Sequence, residues 1–189
     1  GLKEICITLE TNPEYLDDPI NDELARLPVR GNSISVGLQT ISEHVSNHHL
    51  NRRFNRKRYM RNLRRLMERM QSTNNWVSIE IIYGLPGETY EQYRETVDFL
   101  ISEMSIRFVM YFRFLVLPGT YFWDHADDYH LVFEPEAPHA LISSNTFSNR
   151  EILSARRLAF FMFMFTTFLS SVNRMVVKNI SKHRLRVYE

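Results

Sequence analysis

VSIEIIYGLPGET, residues 77–89, is the stretch whose reading decides the fold. Val77–Tyr83 is rich in β-branched residues and reads as a strand. Gly84-Leu85-Pro86-Gly87 is a turn signal that stops it. Glu88–Met104 then reads as a helix, with Tyr93, Val97, Leu100 and Ile101 at helical spacing on one face. A strand, a tight turn and an amphipathic helix in that order form one half of a parallel crossover unit.

The same alternation extends in both directions. Upstream, Glu4–Glu10 is a strand closed by Asn12-Pro13, Asn21–Leu27 a short helix closed by Pro28, and Ser33–Leu38 a second strand. Ser42 is placed to cap a helix running to about Leu50. Asn55–Gln71 is amphipathic, with Tyr59, Leu63, Leu66, Met67 and Met70 recurring at helical spacing. Downstream, Ile106–Leu117 reads as a long apolar strand ended by Pro118-Gly119, and Tyr121–Asp128 as a short helix. Val132–His139 reads as a Pro-rich loop, with helix from Asn149 to Val172 and beyond. Strands alternating with helices give an α/β protein with a parallel sheet and helices outside. The expected division is residues 1–130 for the barrel-like part and residues 131–189 for a loop and C-terminal helical extension.

Composition excludes several classes. The net charge is +1 and 44% of residues are hydrophobic, which fits a folded core and not a nucleic-acid-coating or disordered chain. The single cysteine, Cys6, rules out a disulfide framework and any all-cysteine metal site within the chain. That points to a reducing, cytoplasmic setting. Leu158–Val172 carries no charge, but at about 1.5 Å per residue it falls short of the ~30 Å hydrocarbon core. Ser and Thr interrupt it, so it reads as a helix buried on the protein body and not as a membrane span.

Sites in parallel sheets form at the C-terminal ends of the strands. Those ends carry Glu10, Gln39 and Glu80, and Arg52 arrives from the loop after the second strand. Two carboxylates, an amide and a guanidinium that grips carboxylates bidentately suit a ligand bearing an amino acid and a ribose.

Here the chain resembles a known family. TLETNPE (8–14), SVGLQT (35–40) with Asn51-Arg52, IEIIYGLPGETYEQY (79–93) and FLVLPGT (114–120) resemble successive strand segments of radical S-adenosylmethionine (SAM) proteins of the coproporphyrinogen dehydrogenase type. The run Tyr129–Pro135, with Pro138, Thr146-Phe147-Ser148 and Ala155–Leu158, is similar to radical SAM proteins that carry a cobalamin-binding domain. The resemblance implies a partial (β/α) barrel of about four parallel strands. It implies SAM as cofactor, with Glu10 and Gln39 at its ribose and methionyl end, Arg52 on its carboxylate and Glu80 where the family usually has Asp. It also brings in cobalamin and 5′-deoxyadenosyl-radical chemistry. The spacing from Gln39 to Arg52 is one residue longer than the family pattern.

The family's C-x₃-C-x₂-C motif, which supplies thiolates to a four-iron cluster, has no counterpart here, and Cys6 reads as a small buried strand residue. The cluster therefore belongs to a longer, full-length protein, and the chain alone is expected to be inactive. The Glu4–Glu10 edge needs a missing N-terminal part of the same protein, or a partner, to cover it. The substrate, a small molecule or peptide, is not specified by these residues. The alternative is a non-catalytic barrel scaffold that uses the basic helix 52–69 on nucleic acid. Its cations are Arg52, Arg53, Arg56, Lys57, Arg58, Arg61, Arg64, Arg65 and Arg69. A solvated outer helix face explains them more simply. His44, His48 and His49 lack an evident further metal ligand and read as surface histidines.

Overall fold

Four stretches rich in β-branched or aromatic residues become parallel strands in a computed structural model, which describes residues 8–26, 33–71, 76–104 and 108–168. These are β1 (Thr8–Thr11), β2 (Ser33–Gln39), β3 (Trp76–Tyr83) and β4 (Phe108–Arg113), hydrogen-bonded in the order β1-β2-β3-β4. Parallel neighbours need crossovers. The intervening helices are α1 (Asp18–Arg26), α2 (Arg56–Gln71) and α3 (Tyr90–Asp98). The result is an open, partial (β/α) barrel.

The sheet has two unlike faces, because alternate residues along a strand point to opposite sides. Ile34, Val36, Ile79 and Ile81 are 0% exposed on the helix-covered face. Leu63 and Leu66 of α2, Val97 of α3 and Leu100 just beyond it join them in one core. Each such side chain contributes about 1.5–3 kcal/mol through burial. The other face bears Glu10, Ser35, Gly37, Ser78 and Glu80, then Met110 and Phe112 of β4, both exposed.

Local chemistry sets the helix starts. Asp17 Oδ1 accepts the Ile20 amide at α1, and Asn55 Oδ1 accepts the Arg58 amide at α2. Thr89 and Gln92 form a capping box at α3. The helix expected from Glu88 thus begins two residues later, and Glu88 stays in the turn. It continues past Asp98 as a π-helical segment, Phe99–Glu103. The helix expected after Ser42 is a π-helical segment as well, Val45–His49, with Ser42 Oγ accepting the Val45 amide.

The long strand expected over Ile106–Leu117 is shorter, and the reason is a change of partner. Phe114 still donates its amide to Tyr83 O, but Leu141 donates to Phe114 O and Val116 to His139 O. From Leu115 the chain pairs antiparallel with Ala140. Arg113 reinforces the switch, donating to Leu141 O at 2.6 Å and to Glu134 at 3.0 Å. The stretch read as loop accordingly contains β5 (Val132–Phe133), paired with β6 (Leu141–Ser143). The short helix α4 is one turn, Tyr121–Asp124, and does not reach Asp128.

The last described element is α5 (Asn149–Phe168), capped by Ser148 and Glu151. It packs on β4, α3, β6 and β3 through Ile152, Ala155, Ala159 and Met162. Phe160 and Phe161 face outward. Among the described residues no helix is long and apolar enough to cross a membrane. The expected strand residues Glu4–Ile7, together with Cys6, and the helix beyond Phe168 lie outside the described residues.

Candidate functional site

Lateral pairing in a parallel sheet puts partners on the same face. Glu10 pairs with Ser35, Ser35 with Ser78, and Gly37 with Glu80, so all these residues share the open face. Ser35 Oγ donates to Glu80 Oε1 and accepts from Ser78 Oγ at 3.3 Å, fixing the carboxylate over the centre of the sheet. Glu10 stands exposed one strand away.

Gln39 reaches this face by a different route. The register shifts between Gly37 and Gln39, and Gln39 takes φ 63°, in the left-handed region. Its side chain folds back over Gly37, so that a Cβ built there would lie 3.0 Å from Gln39 Nε2 and 3.8 Å from Arg52 Nη2. The missing side chain at Gly37 leaves room for the Gln39 amide, with the Arg52 guanidinium just beyond it. Gln39 Oε1 is buried without a hydrogen-bond partner.

Arg52 is delivered by the segment before it. Asn51 adopts φ 48°, a conformation Asn tolerates, and the Arg52 amide donates to Ser46 O at 2.9 Å. A π-helical turn holds one more residue than an α-helical one. The π-helical Val45–His49 segment lies between Gln39 and Arg52, and the guanidinium arrives over Gly37. All four residues expected from the sequence, Glu10, Gln39, Arg52 and Glu80, thus share one face.

Several residues of the site escaped the sequence reading. Asn12, Ser46, Arg53 and Tyr59 line a crevice with Gly37 and Arg52, of about 10 Å³, room for a water only. A larger ligand would lie above it, on the open face. Tyr59 is buried with its hydroxyl unpaired, and burial raises its pKa far beyond the usual phenol range despite nearby Arg52. Nothing in the sequence separated Tyr59 from the core residues of α2.

The three histidines do gather. His44 lies 4.6 Å from His48 and 5.4 Å from His49, ring centre to ring centre. Among the described residues, though, no three His, Cys, Asp or Glu side chains are arranged to hold a metal. His49 turns instead toward the Tyr129 hydroxyl at 3.4 Å and packs on Gly87, and burial lowers its pKa. On α2, Arg65 pairs with Asp18, and Arg69 with Asp18 and Asp22.

An open parallel half-barrel with polar groups at its strand ends belongs to the α/β barrel class, whose sites form at those ends. The family model described as "Radical SAM superfamily" matches residues 1–100, and the chain belongs to that superfamily. Its relatives include tRNA-2-methylthio-N(6)-dimethylallyladenosine synthase of Sulfurihydrogenibium sp. (strain YO3AOP1), 31% identical over 64% of this chain and 26% of the relative. The synthase of the same name from Thermus thermophilus is 28% identical over 64% of this chain and 25% of its own length. The chain thus spans about a quarter of the length of these relatives. Among solved structures, Elp3 of Methanocaldococcus infernus superposes with a TM-score of 0.51 at 17% identity, over 66% of this chain and 28% of that one. It shares the fold. The radical S-adenosylmethionine methyltransferase TsrM of Kitasatospora setae gives a TM-score of 0.48 at 19% identity, over 59% of this chain and 20% of that one.

Proposed function

We propose that this chain supplies the SAM-holding strands of a radical SAM enzyme. The observation that supports this most is the open face itself, where Glu10 and Glu80 flank Gly37, over which Gln39 and Arg52 fold. The donor set suits SAM. Glu10 and Gln39 would take its ribose and methionyl end, Arg52 its carboxylate, and Glu80, held by Ser35, a neighbouring hydroxyl or amine. Gln39 Oε1, buried and unpaired, is an acceptor a ligand would satisfy. Bound SAM would supply the 5′-deoxyadenosyl group for radical chemistry. The chain's own part is to hold it and to leave one side of the sheet open to a substrate.

The residues present do not fit the family's four-iron cluster. One cysteine cannot provide its thiolate ligands, and no step of the chemistry falls to a cluster held by this chain. Cobalamin rests on the resemblance of the run from Tyr129 to Leu158 alone, and a division of the chain near residue 130 on the strand–helix reading alone. The scaffold reading, with α2 on nucleic acid, is the weaker one, since membership of the superfamily favours an enzyme.

Titration of SAM into the chain tests the proposal. Saturable binding weakened by E10A and by R52A, and untouched by E91A on the outer surface of α3, supports it. Binding indifferent to E10A and R52A contradicts it.

A further inference from the structure

Glu88 is the only carboxyl side chain that is fully buried among the described residues, at 0% exposure. It sits in the turn between β3 and α3, after Gly87 and before the capping Thr89. Neither of its oxygens completes a hydrogen bond. An ionised carboxylate in such a place would bear an uncompensated desolvation cost.

The groups around it are neutral. At the end of β2 stands Thr40, close enough to favour the charged form slightly, though burial outweighs it and pushes the carboxyl up to about 8. From α3 comes Tyr93, itself buried with an unpaired hydroxyl, and behind it lie Tyr83 of β3 and Tyr111 of β4. The π-helical segment presents His49, packed against Gly87 and held toward its neutral form by burial. No lysine or arginine is among the groups acting on Glu88.

The position of Thr40 gives this arrangement a consequence. Thr40 follows Gln39, the residue at φ 63° that turns the chain into the site. Its hydroxyl accepts the Ser42 amide at 3.1 Å and faces Thr96 of α3 at 3.4 Å, while Thr96 accepts the Ile41 amide at 3.3 Å. The end of β2 is thus strapped to α3 by a few weak hydrogen bonds, with the Glu88 carboxyl packed beside them.

We infer that Glu88 is a positioning residue carried as the neutral acid, which locks the β3–α3 turn against the end of β2 and so fixes the backbone that presents Gln39. A neutral carboxyl carries one O–H donor and can serve Thr40. The ionised form can only accept, and the single hydroxyl of Thr40 does not offset its burial, so ionisation drives it toward water and loosens Gln39–Ser42. The importance of Gln39 to a ligand rests on the SAM reading above. The lock itself does not.

Amide hydrogen exchange of the whole chain, corrected for the intrinsic pH dependence of exchange, separates the two. In the wild type, Gln39–Ser42 should be protected at pH 6 and should exchange at least tenfold faster at pH 9.5, while Ile79–Ile81 stay protected at both. E88Q, neutral at every pH, should remain protected throughout, and E88A should exchange fast at both. If E88A does not fold, wild type against E88Q decides alone. An E88Q profile that follows the wild type with pH overturns the inference. So does E88Q exchanging fast at pH 6, since an amide isostere would then fail where a neutral acid was said to suffice. SAM titration of E88Q at pH 7 is read separately. Protected Gln39–Ser42 without SAM binding in any variant counts against the SAM reading and leaves the lock standing.

Discussion

The two faces of the four-stranded sheet are built from alternate residues of the same strands and have opposite characters. On the helix side, Ile34, Val36, Ile79 and Ile81 are sealed by α2 and α3. On the open side the alternating positions are Glu10, Ser35, Gly37, Ser78 and Glu80, with Met110 and Phe112 exposed at the β4 edge. Parallel sheets are ordinarily covered on both faces and read as continuous hydrophobic runs. β2 and β3 keep the run on one face only. The sealed face carries the stability and the open one carries the chemistry, with only about 3.3 Å of chain advance between a residue of one and a residue of the other.

Adjacent substitutions test that division sharply. Ile79→Ala removes a side chain that is 0% exposed and should cost about 2–5 kcal/mol in chemical denaturation. Glu80→Ala, one residue on and on the other face, should cost at most about 1–2 kcal/mol through its bond with Ser35. Equal losses would erase the distinction between the faces.

A change of pH sharpens it from the sealed side. Burial holds the Glu88 carboxyl at about 8, against 4.5 ordinarily. Folded-state protonation is then favoured, and the unfolded chain gains by ionising as pH rises past its own value. The stability this group contributes is complete below about pH 4.5, falls through the interval up to about 8, and is flat above. The slope limit is about 1.4 kcal/mol per pH unit. E88Q should remove that slope, as read from denaturation midpoints across pH 5–9.

On the open face the effects should appear in binding. Gly37→Val introduces a side chain where Gln39 and Arg52 lie, while raising β-propensity. It should weaken SAM binding at least tenfold with little loss of stability. Glu10→Ala should cost about 1–3 kcal/mol of SAM affinity, the range for a hydrogen bond to a charged group, measured by titration calorimetry. The smallest effect belongs to the outer surface. Arg65→Ala breaks a solvent-exposed pair with Asp18 and should change stability by less than about 1 kcal/mol.

Much of the fold was legible because strand and helix periods differ and because Gly-Leu-Pro-Gly punctuates the decisive unit. The parts that were not legible depended on distant partners. Ile106–Leu117 reads as one strand since nothing local reveals that Leu115 abandons β3 for Ala140. The hairpin of β5 and β6 was hidden in a Pro-rich run for the same reason. At the site, Glu10, Gln39 and Glu80 followed from strand ends. That Gln39 and Arg52 meet over Gly37 needed a register shift and a π-helical turn, neither of which has a period visible in sequence. Glu88 looked like the first residue of a helix, and the capping box of Thr89 and Gln92 moved it into a buried turn.

The central claim is that the open face binds SAM at its polar end. Amide chemical-shift mapping of the isotopically labelled chain with added SAM tests it most directly, since it registers even weak, millimolar binding. Binding there predicts that shifts concentrate at Thr8–Thr11, Gly37–Ile41, Arg52 and Glu80, and that Gly37→Val abolishes them. Shifts gathered on α2 or α5 instead, or a pattern that survives Gly37→Val, would contradict it.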